Sequence, residues 1–447
     1  MSRGQFPIAK NIKQYRNKIG ITQDQLASLS GVGYNVLIKL ESGATENPTI
    51  ETVVKIAKGL KISIDDLLVP EKNQNILVCT TCKKEYSPSK AISQCTCGGI
   101  LTLIHNSSFP IDEIRKRKQT MWRYREALPI MQDKYIISFD ESITPLTKIM
   151  LGRHEVFVKQ DHLFSSGSYK DRGASVLVSK ALELGVNRVS EDSLMQDSSG
   201  SASNAVVSYC AHANITCDLY TPMEIDLDKL TQMKFFGAKI HTIKQKDKHN
   251  LQVAQSEYYA NHSWNPYFLH GTKTFAFEIC EQLGWKSPDT IILPAGNGTL
   301  LLGTYIGFLE LLNAGVVSKM PKIIGIQSVQ CAPLYFAYKK NLSEISSIDK
   351  KFTLAQGLAI EKPIRGKETL DAVRSTNGQF IVVTDHEIKA ALAEMLRIGF
   401  YIEPTSAATI AGVKKYVAEA KPDEIIVSAF TGNGLGSIQK IAKLLNA

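Results

Sequence analysis

The residues with the clearest chemical potential form one short run, Ser166-Gly167-Ser168-Tyr169-Lys170-Asp171-Arg172-Gly173. It sets a lysine among small residues, ahead of a helix-forming stretch from Ala174 to Leu184. An ε-amino group held in such a turn can form a Schiff base, the chemistry by which pyridoxal phosphate attaches to a protein. Three later segments each read as strand, glycine-bearing turn, helix. The first passes through Asp197-Ser198-Ser199-Gly200-Ser201-Ala202-Ser203-Asn204 into Ala205–Ala211. The second is Thr290–Leu293, then Pro294-Ala295-Gly296-Asn297-Gly298-Thr299, then Leu300–Leu312. The third is Glu424–Phe430, then Thr431-Gly432-Asn433-Gly434, then Leu435–Leu445. Such turns aim backbone N–H groups and the positive end of a helix at one point. The second suits a cofactor phosphate, because Gly296 and Gly298 let backbone donors approach an anion and Thr299 adds a hydroxyl. It lacks the glycine spacing of a dinucleotide site and the Gly-Lys-Ser/Thr of a nucleotide P-loop.

A second cluster could bind metal. Cys79-Thr80-Thr81-Cys82 and Cys95-Thr96-Cys97-Gly98-Gly99 are two knuckles about a dozen residues apart, flanked by the strand-like Ile76–Val78 and Ile100–Ile104. Four thiolates from two turns complete a closed tetrahedral zinc site, structural rather than catalytic. A ribbon this short has little core without metal. The alternative is four reduced, unliganded cysteines. Cys210, Cys217, Cys280 and Cys331 are scattered among apolar residues and read as buried, inert thiols.

The elements that must position these groups fall into three blocks. From about Ile8 to Leu68 the pattern is helical. Ala9–Ile19 has apolar residues at helical spacing, and Thr22-Gln23-Asp24-Gln25 reads as a capping box. Gly31-Val32-Gly33 turns the chain into Tyr34–Glu41, Pro48-Thr49-Ile50-Glu51 opens another helix, and Ser63–Leu68 closes the bundle. Residues 1–70 are therefore expected as an all-α unit, 75–105 as a small β ribbon, and 106–447 as an α/β body with parallel strands. Pro70–Asn75 reads as a linker, and Asn106–Lys118 as a connector.

These motifs, in their order, resemble the threonine synthase branch of fold type II pyridoxal-phosphate enzymes. The likeness runs from about Leu77 to the C-terminus, and it implies that the body, 106–447, is α/β with two parallel-sheet subdomains, the smaller inserted at roughly 185–260. Met121-Trp122-Arg123-Tyr124-Arg125-Glu126, Glu141-Ser142-Ile143-Thr144-Pro145-Leu146, Gly271-Thr272-Lys273-Thr274, Glu403-Pro404-Thr405-Ser406-Ala407-Ala408 and Thr431-Gly432-Asn433-Gly434-Leu435 all fall where that family has its own. The resemblance implies that Lys170 holds pyridoxal 5'-phosphate and moves protons, that Gly296, Asn297, Gly298 and Thr299 cradle its phosphate, and that Thr431 meets its ring nitrogen. It also implies that Ser198, Ser199 and Gly200 bind the substrate carboxylate. A neutral hydroxyl at the ring nitrogen does not hold it protonated as a carboxylate would, which leaves more proton work to Lys170. Ser201 stands where the family has an asparagine that touches the cofactor's ring hydroxyl. Phe164-Ser165-Ser166 replaces the family's Asn-Pro-Thr, and Gly434-Leu435-Gly436 its Gly-Leu-Lys. Some relatives carry a similar ribbon before the catalytic region. The N-terminal block resembles the Cro/phage-repressor helix-turn-helix, including the Leu40-Glu41-Ser42-Gly43 exit. That likeness puts Tyr34, Asn35 and Lys39 on a recognition helix facing a groove of double-stranded DNA and Gln23 near a phosphate, with a homodimer reading paired half-sites.

At 447 residues, 44% hydrophobic and 21% charged, the chain has the composition of a globular protein of about three domains. The N-terminus lacks a signal-peptide pattern and no apolar run reaches membrane-spanning length, so the expectation is a cytoplasmic protein with no membrane partner. The formal charge of +9 permits an acidic partner without demanding one. Three functions stay open. The first is a lyase or replacement enzyme acting on an amino acid, with O-phosphohomoserine to threonine as the family's example. The second is a transcription regulator whose body senses the cofactor or an amino-acid effector without turnover. The third is an enzyme that also controls its own operon. Retention of Lys170 and of most cofactor contacts favours catalysis with DNA binding added.

Overall fold

The computed structural model describes residues 8–45, 48–64, 67, 75–192, 200–222, 227–243 and 258–445. The chain divides into two compact units, Met1–Gln74 and Asn75–Ala447.

In the first unit α1 (Ile8–Lys18), α2 (Gln23–Ser30), α3 (Tyr34–Glu41) and α4 (Ile50–Leu60) surround a core that includes Ile12, Leu26, Leu37, Leu40, Ile56 and Leu60. The expected capping box is present: Thr22 Oγ1 accepts from Gln25 N, and Gln25 Oε1 accepts from Thr22 N. Thr49 caps α4 by accepting from Thr52 N. Of the closing segment, 65, 66 and 68 lie outside the described residues, as does most of the expected linker.

Among the described residues the second unit holds three sheets. The ribbon is β1 (Ile76–Cys79), β2 (Glu85–Tyr86) and β3 (Leu101–Ile104), antiparallel in the order β2-β1-β3. It shares a core with the body: Leu77, Cys79, Cys95 and Leu101 pack with Trp122, Leu128, Val176 and Tyr267. The expected connector after it contains a short helix, Ile111–Lys116.

The body's larger sheet is built from β4 (Leu146–Leu151), β5 (His154–Lys159), β10 (Thr290–Pro294), β11 (Lys322–Ser328), β12 (Gln379–Val383) and β13 (Ile426–Ala429). Its order is β12-β11-β10-β13-β5-β4, parallel except for the edge strand β4. Every residue of β10 and β13 is buried, as expected of strands covered on both faces. The smaller sheet, β6 (Arg188–Asp192), β7 (Thr216–Pro222), β8 (Lys239–Ile243) and β9 (Tyr258–Tyr259), is wholly parallel in the order β8-β7-β6-β9. This α/β arrangement puts β10, β13 and β5 side by side. The loops leaving their carboxyl ends carry the second glycine turn, the third glycine turn and Lys170. Parallel sheets bind ligands at such a line of strand ends.

Candidate active site

Lys170 is the first residue of the helix Lys170–Glu183, which begins four residues before the expected Ala174. Its loop is sutured to the turn after β13. Tyr169 N donates to Thr431 O at 3.1 Å, Asn433 N to Gly167 O at 2.8 Å, and His162 N to Phe430 O at 2.9 Å. Lys170 Nζ lies 4.7 Å from the Tyr169 ring centre and 6.0 Å from that of Phe268.

Beneath the lysine a buried charge group holds the helix in place. Arg172 pairs with Asp161 at 2.7 Å and Glu278 at 2.6 Å, and Lys159 meets Glu278 at 2.7 Å, with all four side chains inaccessible to solvent. Two cations and two carboxylates cancel, which is the condition for keeping charge in an interior. Burial pushes Asp161 up, but the Arg172 guanidinium outweighs it and holds the carboxyl below its usual range. Among the described residues Asp171 makes no such ion pair. Burial pushes it up to about 7, against hydrogen bonds from the Ser166 hydroxyl and N–H.

The turn after β10 opens the long helix Thr299–Asn313, whose N-cap Gly298 is left-handed at φ 78°. A Cβ there would strike Thr369 Oγ1 at 2.2 Å, and one on Gly296 would strike Gly357 O at 2.2 Å. The cradle therefore tolerates only glycine at both positions, which leaves backbone donors at a helix N-terminus. This is what a phosphate requires. Tyr169 joins the two turns: its hydroxyl is 3.0 Å from Thr299 Oγ1. On the other side Asn297 Nδ2 lies 3.3 Å from His262 Nε2.

Lys170, Ser201, Gly296, Asn297, Gly298, Thr299 and Thr431 line one cleft. Ser201 arrives from the smaller sheet as the first residue of the helix Ser201–His212, with Gly200 as its left-handed N-cap. Ser198 and Ser199 lie outside the described residues. Asn204, one turn beyond Ser201, is buried and does not line the cleft. Among the further lining residues that carried no expected role are His262, Glu403 and Thr405. The glycine cradle, the lysine and the Thr431 turn together fit pyridoxal phosphate. The third glycine turn enters its helix through a 3-10 turn, Gly434–Ser437, so the α-helix starts at Ile438 rather than Leu435.

The sulfur atoms of Cys79, Cys82, Cys95 and Cys97 lie within 4.8 Å of one another. Cys79 and Cys97 are 3.5 Å apart, as are Cys82 and Cys95. Tetrahedral zinc–thiolate bonds of about 2.3 Å require sulfur atoms roughly 3.8 Å apart, so the set fits zinc. Gly99 leaves room for Cys79, whose sulfur would lie 2.6 Å from a Cβ at that position. The thiols compete for charge. The Cys97 N–H and the Tyr86 hydroxyl bring Cys95 down to about 6. Despite the Gly99 N–H, the neighbouring sulfurs of Cys82, Cys95 and Cys79 push Cys97 up to about 12. A divalent cation removes that conflict. Cys210, Cys217, Cys280 and Cys331 are all buried.

In the first unit, Tyr34, Asn35 and Lys39 are exposed along α3. Gln23, at the start of α2, donates from Nε2 to Glu41 Oε2 at 2.7 Å, and Arg16 grips the same carboxylate at 2.6 Å. The Gln23 amide thus ties α2 to the end of α3.

Residues 137–432 match the family described as pyridoxal-phosphate dependent enzyme, and residues 12–67 match the helix-turn-helix family. The threonine synthase of Methanocaldococcus jannaschii is 36% identical over 376 residues, covering 80% of this chain and 92% of that protein. The threonine synthase of Methanosarcina acetivorans is 34% identical, covering 82% and 93%. Among solved structures, a fungal L-serine ammonia-lyase from Rhizomucor miehei aligns with a TM-score of 0.59 at 18% identity, over 68% of this chain and 98% of that one, a likeness of fold. No helix among the described residues is long and apolar enough to cross a membrane. With its lysine, glycine cradle and parallel sheets in this arrangement, the chain belongs to the pyridoxal-phosphate-dependent enzyme family, on its threonine synthase branch, and carries an N-terminal helix-turn-helix domain of the Cro/C1 type.

Proposed function

We propose that the body catalyses a β- or γ-replacement on an amino acid, with O-phosphohomoserine to threonine as the specific reaction, and that the N-terminal domain binds DNA. The observation that carries this is the convergence of Lys170, Thr431 and the Gly296–Thr299 cradle on one cleft. Relatives named threonine synthase, of which the chain covers more than nine-tenths, support the substrate.

Pyridoxal phosphate, when bound, supplies an electron sink for charge developing on the substrate's carbons. The chain's residues do the rest. Backbone N–H groups of Gly296, Asn297, Gly298 and the Thr299 hydroxyl hold the phosphate. Lys170 gives and takes protons at Nζ, and the rings of Tyr169 and Phe268 restrict where that atom travels. The 198–201 turn holds the substrate carboxylate. Thr431 meets the ring nitrogen. Asn297 and His262 form a polar wall that orients groups entering the cleft.

Threonine and inorganic phosphate released from O-phosphohomoserine test this reading. Protein loaded with cofactor that turns over no hydroxy or phospho amino acid would contradict it. The second reading, a ligand-sensing regulator, is supported by Ser201 in place of the family's asparagine and by the helix-turn-helix domain. It requires a ligand that favours one DNA-binding state over another. A gel shift with and without cofactor separates the two readings, and a palindromic site bound by two chains would support the homodimer.

A further inference from the structure

Arg365 is a buried cation held mostly by backbone. Its side chain is shielded from solvent, and all three guanidinium nitrogens donate. Nε reaches Ser263 O at 2.6 Å, and Nη2 reaches both Trp264 O and Leu101 O at 2.9 Å. Nη1 meets the carboxylate of Glu368 at 3.1 Å and 3.2 Å. An interior charge is tolerated only while its donors stay paired. The guanidinium is planar, and its donors are fixed relative to one another. One nitrogen, Nη2, therefore locks the spacing between Leu101 and Trp264, two segments far apart in sequence.

Leu101 belongs to the ribbon and is the cross-strand partner of Cys79. It closes a run of three carbonyls. Gly99 O accepts from Cys95 N at 3.1 Å and Ile100 O from Thr80 N at 2.9 Å, so the first two fasten the cysteine knuckles. The third fastens Arg365. At the other end, Ser263 and Trp264 directly follow His262, whose Nε2 lies 3.3 Å from Asn297 Nδ2 in the cradle turn. Arg365 is also the N-cap of the helix Gly366–Ser375. Its carbonyl accepts from Thr369 Oγ1 at 2.9 Å. That hydroxyl is the group that leaves Gly298 no room for a side chain. The arginine thus grips the ribbon and reaches the cradle by two routes, through His262 and through Thr369.

We propose that Arg365 is a positioning residue through which the metal state of the ribbon sets the cleft's affinity for pyridoxal phosphate. This rests on the readings that the four thiols hold zinc and that the cleft holds that cofactor. With zinc bound, the knuckles fix residues 99–101, and Arg365 keeps the 261–265 loop and Thr369 against the Gly296–Thr299 turn. Zinc loss frees the knuckles. Leu101 O then shifts, and the buried guanidinium follows it or is left with an unpaired donor. Either outcome loosens the cradle. The metal-bound and metal-free ribbons are the two states. Linkage makes the effect reciprocal: the cofactor must tighten zinc by the same factor as zinc tightens the cofactor.

The test uses the full-length protein. Pyridoxal phosphate is titrated into cofactor-free protein, zinc-loaded and after zinc removal with a chelator. Zinc affinity is measured by chelator competition with and without the cofactor. The wild type is expected to bind the cofactor at least about fivefold more tightly with zinc, with a matching factor for zinc itself. In Arg365→Lys, whose single ammonium lacks the fork, and in Arg365→Met, both factors should fall toward one. General destabilisation does not mimic this, because each factor is a ratio within one variant. If neither variant folds, hydrogen exchange of the wild type carries the test: zinc removal should deprotect 261–265 together with the ribbon. Equal cofactor affinity with and without zinc overturns the proposal. So does coupling undiminished in both variants, or deprotection confined to the ribbon. A ribbon that takes up no zinc removes the proposal and leaves the cofactor reading standing. A protein that takes up no pyridoxal phosphate, with or without zinc, removes both.

Discussion

The hydroxyls of Tyr169 and Thr299 are 3.0 Å apart. This one hydrogen bond ties the lysine-bearing turn to the glycine cradle, which lies more than a hundred residues later in the chain. Replacing Tyr169 with Phe keeps the ring beside Lys170 Nζ and deletes only the hydroxyl. A neutral hydrogen bond contributes about 1 kcal/mol. The expected result is a cofactor dissociation constant raised several-fold, roughly up to tenfold, with the fold unchanged, measured by titrating pyridoxal phosphate into the apo-protein.

Asp171 should give stability a particular pH profile. Its ordinary carboxyl value is 3.8, and burial raises it to about 7 in the folded chain. The folded state therefore keeps a proton that the unfolded state releases. The resulting stabilisation is complete below about pH 4 and is lost as pH rises toward 7, on the order of 4 kcal/mol in all. Asp161, held low by Arg172, acts in the opposite sense, and its contribution is lost as pH falls below the carboxylate range. In Asp171→Asn the loss between pH 4 and 7 should vanish. Denaturant unfolding of wild type and variant at several fixed pH values checks this, and parallel stability curves would count against it.

The ribbon should contain one zinc ion per chain. Two of its cysteines, Cys79 and Cys95, belong to the core that includes Trp122, Leu128 and Val176. Losing the metal therefore disturbs the body as well as the ribbon. Cys82→Ser, which alters an exposed ligand, should reduce zinc content and lower the melting temperature. Metal analysis with thermal unfolding provides the check. A zinc-free wild type with the same melting temperature as Cys82→Ser would exclude a structural metal.

On α3, Asn35 and Lys39 should behave differently toward DNA. Lys39→Ala removes a cation at the groove, so it should weaken binding and reduce the salt slope by about one. Asn35→Ala should cost about 1–3 kcal/mol on the preferred site and relax selectivity there. Fluorescence anisotropy against specific and scrambled duplexes at several salt concentrations separates the two effects.

The parts of the site that were legible in the sequence are those whose chemistry is local. Glycine followed by a helix marks the cradle at Gly296–Thr299, and paired cysteines mark the ribbon. Thr22 and Gln25 mark the start of a helix by a contact three residues long. What was not legible depends on tertiary placement. Glu403 precedes a proline and a helix, so its sequence context suggests a plain helix start. Its reach to Thr431 exists only because β13 ends beside it. His262 enters the cleft from the loop after β9, and nothing near it in sequence points there. The helix starts at Lys170 rather than Ala174 because Arg172 is fixed by Asp161 and Glu278, overriding the turn-like composition of that run. The docking of the ribbon was equally hidden: Arg365 Nη2 donates to Leu101 O at 2.9 Å across more than 260 residues of chain.

The central claim is that Lys170 is the attachment point of the cofactor. Full-length protein saturated with pyridoxal phosphate, reduced with borohydride, digested and analysed by mass spectrometry tests it most directly. The prediction is a single phosphopyridoxyl adduct on the peptide bearing Lys170, absent from Lys170→Ala along with the visible absorbance. An adduct on another lysine, or a wild-type protein that takes up no cofactor, would contradict the account.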